Sequence, residues 1–208
     1  PVTAYGTYLG IKASVKKVYG TEDLKGKTVG VQGVGQVGMY LVEHLVKEGA
    51  KVYITDISQE KLKKVASASG ATVVGMDDIY DLDMDIYAPC ALGATLNSAT
   101  IPRLKCQIVA GAANNQLAEE KKHGYMLMDR NITYAPDFLI NAGGLINVYE
   151  EYRGDYSRKR TYTTAEKIYE TCLQILNLAE DEGISSQEAA IQMAENRIAA
   201  IGKIKLPH

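Results

Sequence analysis

No stretch of this chain approaches the run of about 18 apolar residues that a membrane-spanning helix requires, so no spanning segment is expected. Cysteine is scarce. Cys90, Cys106 and Cys172 are an odd number at unrelated spacings, which argues against a disulfide framework or a zinc cluster and for a reducing compartment. An excess of one charge is also missing: 23 Lys and Arg stand against 25 Asp and Glu, a formal net charge of −2, which makes no electrostatic case for nucleic acid. There is no internal repeat and no low-complexity linker. The sequence begins at Pro1 with neither a methionine nor a basic, apolar leader, so a cytoplasmic setting is expected and the chain reads as a fragment. What is present is 208 residues with 46% hydrophobic content, enough to bury the core of one large domain or of one domain with an appendage.

Short β-branched runs at 27–32, 51–55, 71–74, 85–89, 107–111 and 132–135 alternate with helical or turn-rich segments. That alternation predicts an α/β fold, a doubly wound and mainly parallel sheet with helices on both faces. Before the first run, Tyr8, Ile11, Val15 and Val18 form a helical stripe that stops at Gly20. After the last run two long helices are expected. Thr163 with Glu166, and Ser185 with Glu188, read as capping boxes, while Gly183 and Gly202 sit where helices end. Ile168, Cys172, Ile175, Leu176 and Ala179 keep helical spacing and need a surface to cover. The expected organisation is a core unit over 3–153 with its leading helix, followed by terminal helices over 160–202.

The run KTVGVQ leads straight into Gly33-Val34-Gly35-Gln36-Val37-Gly38, which opens a helix with apolar positions at Val37, Leu41 and Leu45. The spacing G-x-G-x-x-G has a physical logic: Gly33 allows a tight turn, Gly35 leaves the backbone open to a pyrophosphate, and Gly38 permits close packing of helix on strand. Unpaired N–H groups at the helix start face the phosphates, where the helix dipole favours negative charge. Asp56 ends the next strand, 23 positions after Gly33, where its carboxylate can accept hydrogen bonds from ribose hydroxyls and repel a 2′-phosphate. Capping of the following helix is its alternative role, which Ser58 could fill equally well. NAD is therefore expected over NADP, although Lys61, Lys63 and Lys64 lie close by.

The segment PDFLINAGGLINVYEE (136–151) reads as one helix capped near Asp137, with Gly143 and Gly144 inside it. Each interior glycine weakens a helix by roughly 1 kcal/mol relative to alanine, so the pair implies close approach of another backbone or of a ligand. Asn141, Leu145 and Val148 would share one helix face, an amide beside two aliphatic side chains. Such a face suits a small ligand with one polar and one greasy end, and equally suits ordinary core packing. Asp81, Asp83 and Asp85 resemble the start of a calcium loop, but Ile86 and Leu92 stand where glycine and glutamate are needed, so a solvated acidic loop and no metal are expected. Cys90 reads as a packing residue, and His44 and His123 as ordinary helix residues. Asn131-Ile132-Thr133 is a glycosylation sequon without a secretory route.

The segments PVTAYG (1–6), GVGQVG (33–38), TDI (55–57), APCALG (88–93), AGAANNQL (110–117) and YAPDFLINAGGLINV (134–148), in this order, resemble the C-terminal nucleotide-binding half of the Glu/Leu/Phe/Val dehydrogenase family, nearest its leucine and phenylalanine branch. The resemblance spans essentially the whole chain. It implies a Rossmann-type fold and NAD-dependent, reversible oxidative deamination of an L-amino acid to a 2-oxo acid and ammonia. It also implies that Gly33 to Gly38 hold the pyrophosphate, that Asp56 and Ile57 lie at the ribose, and that Cys90, Ala91, Asn114 and Asn115 lie along the nicotinamide riboside. Asn141 and Thr3 would lie at the reacting end, with Leu145 and Val148 lining a side-chain pocket for leucine or another branched aliphatic substrate. Phenylalanine is the alternative substrate, and a non-catalytic NAD-sensing module or a shikimate-type dehydrogenase the alternative protein. The family's lysines and acidic proton shuttle precede PVTAYG, and no lysine here follows a Gly-Gly pair. No catalytic residue is therefore expected in this chain, its last two helices are expected to pack partly on the absent domain, and the whole enzyme is expected to be a homo-oligomer.

Overall fold

A computed structural model describes residues 1–202. Helix α1 (Val2–Tyr19) precedes β1 (Thr28–Gln32), and α2 (Gln36–Lys47), β2 (Lys51–Thr55), α3 (Gln59–Ser69) and β3 (Thr72–Val73) come after it. Then come β4 (Ile86–Pro89), β5 (Ile108–Val109), α4 (Glu120–Asp129), β6 (Thr133–Tyr134), α5 (Asp137–Ile140), α6 (Gly143–Tyr152), α7 (Arg158–Glu182) and α8 (Ser186–Gly202). The six strands lie within the six β-branched runs and form one sheet in the order β3-β2-β1-β4-β5-β6, with every pairing parallel. This is the expected doubly wound architecture.

Strand pleating divides the core. Ile86 and Ala88 of β4 and Ile108 of β5 enter one cluster, with Ile11, Val15, Leu41 and Leu45 of the covering helices. Tyr87 and Val109, the residues between, enter the cluster on the other face with Leu96, Ile101, Leu104 and Leu127. Both strands are buried from end to end, as a central parallel strand must be. The chain turns one way from β1 to β2 and the other way from β1 to β4. Gln32 is level with Thr55 on one side and Pro89 on the other, so the three strand ends open together at this switch point.

Helix α1 ends as its stripe predicted, with Gly20 in the left-handed region at φ 73°. Gly6 and Gly10 let it lie close to its neighbours, since a Cβ at Gly10 would fall 2.3 Å from Ile140 Cγ2. The α7 stripe is buried as its spacing required, and α1 supplies much of the surface it covers. The surface that the α7 stripe covers thus lies within this chain. Helix α8 packs on α7 and α4, leaving Ile191 and Ile198 exposed.

The start of α7 differs from expectation. Ser157, not Thr163, caps it, accepting from the Arg160 N–H at 3.3 Å. The earlier start is held by a charge network the spacing did not reveal: the Arg160 guanidinium reaches the buried Glu150 carboxylate at 2.9 Å. At α8 the Ser185 hydroxyl does accept from the Glu188 N–H, but the Glu188 side chain goes to the Tyr125 hydroxyl instead of closing a box. Gly183 ends α7 at φ 65°, as placed from sequence. Gly202 is the last described residue of α8, so its role as a helix terminator lies outside the described residues.

His123 does more than its sequence setting suggested. It is buried, its Nδ1 accepts the Glu119 N–H at 2.8 Å at the mouth of α4, and its Nε2 lies 3.1 Å from Ser98 Oγ. The acidic segment is divided among separate partners. Arg103 pairs with Asp77 and Asp81, while Asp85 takes the Thr28 N–H at 2.8 Å, the Tyr19 hydroxyl at 2.9 Å and Lys27 at 3.2 Å. Burial of Asp85 works against its charge, yet these three donors outweigh it and hold the carboxyl below the usual carboxylate range. Among the described residues no three His, Cys, Asp or Glu side chains converge as a metal site would require, and no helix is long and apolar enough to cross a membrane.

Candidate functional site

The three glycines of the opening turn do three different things. Gly33 sits at φ 99°, a conformation disfavoured for any residue with a Cβ, and a Cβ there would also lie 2.6 Å from that of Ala91. Gly38 faces the Gly33 carbonyl so closely that a Cβ would come within 2.0 Å of its oxygen. Gly35, by contrast, meets nothing within 4 Å and is the N-cap of α2, where no side chain supplies a capping hydrogen bond. The first-turn N–H groups of this 12-residue helix therefore lack a side-chain acceptor, in a position open to solvent.

Asp56 is fixed beside that turn. One carboxylate oxygen accepts the Val34 N–H at 2.8 Å and the other the Ser58 N–H at 2.8 Å. Capping of α3 falls to Ser58, which accepts from the Lys61 N–H at 3.3 Å. Asp56 is thus released from the capping role and held half-buried at the end of β2. It borders a cleft of about 370 Å³ together with Gly33, Gly35, Ile57, Cys90 and Ala91. Lys61, placed close by from sequence, also lines it, and sequence reasoning missed Gln32, Met76, Leu92 and Thr95. Gln32 is locked between two tyrosines, accepting from the Tyr87 hydroxyl at 2.6 Å and donating to the Tyr80 oxygen at 3.0 Å. Only the alternation that puts Tyr87 and Gln32 on one face of neighbouring strands could have signalled this. Burial pushes the Cys90 thiol up to about 12, against a hydrogen bond from the Ala112 backbone, and so favours the neutral thiol.

A second cleft, about 460 Å³, opens on the other side of the turn. Thr3, Val37, Asn114, Asn115, Asn141 and Leu145 line it with Ala112, Asp137, Phe138, Ala142 and Gly144. Residues from α1, α2, α5, α6 and the segment after β5 therefore meet in one place, although they span most of the chain. The Asn141 side-chain amide donates to Asn114 Oδ1 at 2.6 Å. Asn115 is held at φ 52°, a left-handed conformation that asparagine tolerates better than most residues, and its carbonyl accepts the Ala94 N–H at 2.7 Å.

The expected single helix over 136–151 is two helices. Pro136 stands at the N-cap of α5, Asp137 turns inward instead of capping, and the chain leaves the helix after Ile140. Gly143 and Gly144 therefore begin α6 and do not interrupt it, which removes the interior-glycine penalty. Their reason is the close backbone approach that was expected: a Cβ at Gly143 would lie 2.4 Å from the Val2 carbonyl oxygen, and one at Gly144 3.2 Å from Thr3 Oγ1. With the helix broken, Asn141 and Leu145 still border the same cleft. Val148 does not line it and is 58% exposed.

The model of the family described as Glutamate/Leucine/Phenylalanine/Valine dehydrogenase matches residues 1–58 and 53–205, nearly the whole chain. The chain belongs to this family. It is 51% identical over 205 residues to a leucine dehydrogenase of Thermoactinomyces intermedius, covering 99% of this chain and 56% of that protein. It is 43% identical over 206 residues to a phenylalanine dehydrogenase of Bacillus thermotolerans, covering 97% of this chain and 53% of that protein. The crystal structure of L-tryptophan dehydrogenase from Nostoc punctiforme superposes with a TM-score of 0.94 at 46% identity, covering 96% of this chain and 60% of that one. This family member thus spans little more than half the length of the curated relatives it matches.

Proposed function

We propose that this chain is the NAD-binding part of an amino-acid dehydrogenase whose whole protein, a homo-oligomer, converts an L-amino acid reversibly to a 2-oxo acid and ammonia. The observation that carries the reading is the anchored Asp56 carboxylate beside an uncapped helix start, with clefts on both sides of the turn. The segment Gly33 to Gly38 would hold the pyrophosphate on the α2 amides, and Asp56 with Ile57 would hold the adenosine ribose. Cys90, Ala91, Asn114 and Asn115 would lie along the nicotinamide riboside. Thr3 and Asn141 would stand at the reacting end, with Leu145 at the cleft and Val148, on the exposed surface of α6 outside it, as an aliphatic wall toward the substrate side chain. The relatives' names and that wall favour leucine or another branched aliphatic amino acid.

When bound, NAD supplies the hydride acceptor. The chain's own residues orient the two reactants; they do not move the protons. Asp137 is the one titratable group lining the second cleft among the described residues, and it is 7% exposed with both oxygens engaged by backbone N–H groups. Among the described residues no lysine lines that cleft. Deprotonation of an amine and addition of water need a tuned acid–base group, so this reading assigns those steps to a part of the protein outside this chain. Lys61, which lines the first cleft with Asp56, favours tolerance of a 2′-phosphate. Calorimetric titration of the chain with NADH and NADPH tests the reading. Saturable NADH binding, tighter than NADPH, is expected, and the absence of saturable NADH binding would refute it.

A further inference from the structure

The amides of Asn114 and Asn115 are exposed, yet the segment 111–117 that carries them is held from beneath by a fully buried residue, Gln116. Its Nε2 donates to the Gly111 carbonyl at 2.7 Å and to the Ala113 carbonyl at 2.9 Å, tying the segment to itself. The Gln116 backbone N–H donates to Asp137 Oδ2 at 2.9 Å, tying the same segment to the first residue of α5. The other Asp137 oxygen takes the Phe138 N–H at 2.7 Å, which fixes the carboxylate plane. Four residues on, Asn141 closes the ring by donating to Asn114 Oδ1 at 2.6 Å.

Gln116 is a costly choice for a packing role. Its Oε1 is buried without a hydrogen-bond partner in the structure, a state that a leucine or methionine of similar size would avoid. Its two donated hydrogen bonds are what a hydrocarbon side chain could not provide. Asp137 is likewise buried with no cation in salt-bridge reach among the described residues, so its two N–H contacts account for its presence.

We propose that Gln116 and Asp137 are positioning residues that lock the segment 111–117 against α5. The side chains of Asn114, Asn115 and Asn141 then present a preorganised polar rim to the nicotinamide end of the cofactor. The inference rests on the reading of the second cleft as the nicotinamide side. Rigid support of a contact group lowers the ordering that binding must impose, and its loss falls on that contact alone.

The test compares NADH with ADP-ribose, which keeps the adenosine, diphosphate and second ribose but lacks the nicotinamide. Both are titrated into the chain and into Gln116→Met and Asp137→Asn. The first variant keeps side-chain bulk and removes both Nε2 donors; the second turns one carboxylate oxygen into a donor facing an N–H group. The wild-type chain is expected to hold NADH more tightly than ADP-ribose. Each variant is expected to lose about tenfold in NADH affinity, the scale of one well-made hydrogen bond, with ADP-ribose affinity changed by less than about twofold. Retained ADP-ribose binding also shows that the variant is folded, and either variant alone decides. Equal losses for the two ligands, no loss for either, or a wild-type chain that holds both equally would overturn the inference. A wild-type chain that binds neither ligand would overturn the cofactor reading itself.

Discussion

At the scale of single residues, the site depends on side chains whose first duty is to the backbone. Asp56 accepts two loop N–H groups before any ligand arrives, so its oxygens are already aimed and its charge is already beside the turn. Anchoring of this kind keeps the carboxylate from swinging away when a 2′-phosphate approaches, which makes it a fixed repulsive element as well as an acceptor. Asp56→Ala should therefore weaken NAD binding by roughly tenfold, the scale of one or two hydrogen bonds, while leaving NADP nearly unchanged or improved. Parallel titrations of the variant with both nucleotides check this, and an affinity ratio equal to that of the wild type would contradict the assigned role. The same residue shows what could be read in advance. Its distance from the glycines marked it in the sequence, whereas its bond to the Val34 N–H did not, because that contact depends on how β1 and β2 are aligned.

At the scale of elements, the strands were legible because burial on both faces leaves a continuous β-branched run wherever a central parallel strand must pass. Helix α1 was legible for the analogous reason, a stripe that ends at a glycine able to adopt φ 73°. The break between α5 and α6 was not, because it lies against α1, about 140 positions away in sequence: Val2 and Thr3 crowd Gly143 and Gly144. The start of α7 was misplaced for a similar reason, since buried Glu150 draws Arg160 into the first turn. Close helix contact also makes a prediction. Alanine is the better helix former by about 1 kcal/mol, so Gly10→Ala would stabilise α1 in isolation. In the folded chain its Cβ would fall 2.3 Å from Ile140 Cγ2, in a contact where the helices cannot part without disturbing the residue beside Asn141. Gly10→Ala should then destabilise the chain by roughly 1–3 kcal/mol, as overpacked cores do, and should cost less when added to Ile140→Ala, which removes Cγ2, than when added to the wild type. Urea unfolding of the single and double variants measures both effects; a stabilised single variant would show that the contact has more slack than the structure gives it.

At the scale of the whole molecule, the switch in strand order at β1 and β4 makes the open end of the sheet, and the glycine turn divides that opening into two clefts. The first cleft was partly visible in the sequence, since a turn, a helix start and an acid come one after another along the chain. The second gathers α1 with segments more than a hundred residues later, so only the likeness to a family could name its members together. Among the described residues the second cleft holds no lysine and one carboxyl, Asp137, already engaged by backbone N–H groups, and the chain covers 56% of a 51% identical leucine dehydrogenase. Binding and chemistry should therefore separate experimentally. The 208-residue chain is expected to bind NADH without turnover, while a protein that also carries the remaining portion found in its relatives should form NADH from NAD when given L-leucine. L-Valine should be turned over within about 10–200-fold of that rate, because a missing methylene in an apolar pocket discriminates by only about 1–3 kcal/mol. Recording NADH absorbance with aliphatic and aromatic amino acids in turn decides the matter. Turnover by the 208-residue chain alone would show that the proton-moving group is already within it, and NADH binding by the longer protein without turnover of any amino acid would favour a nucleotide-sensing module over a dehydrogenase.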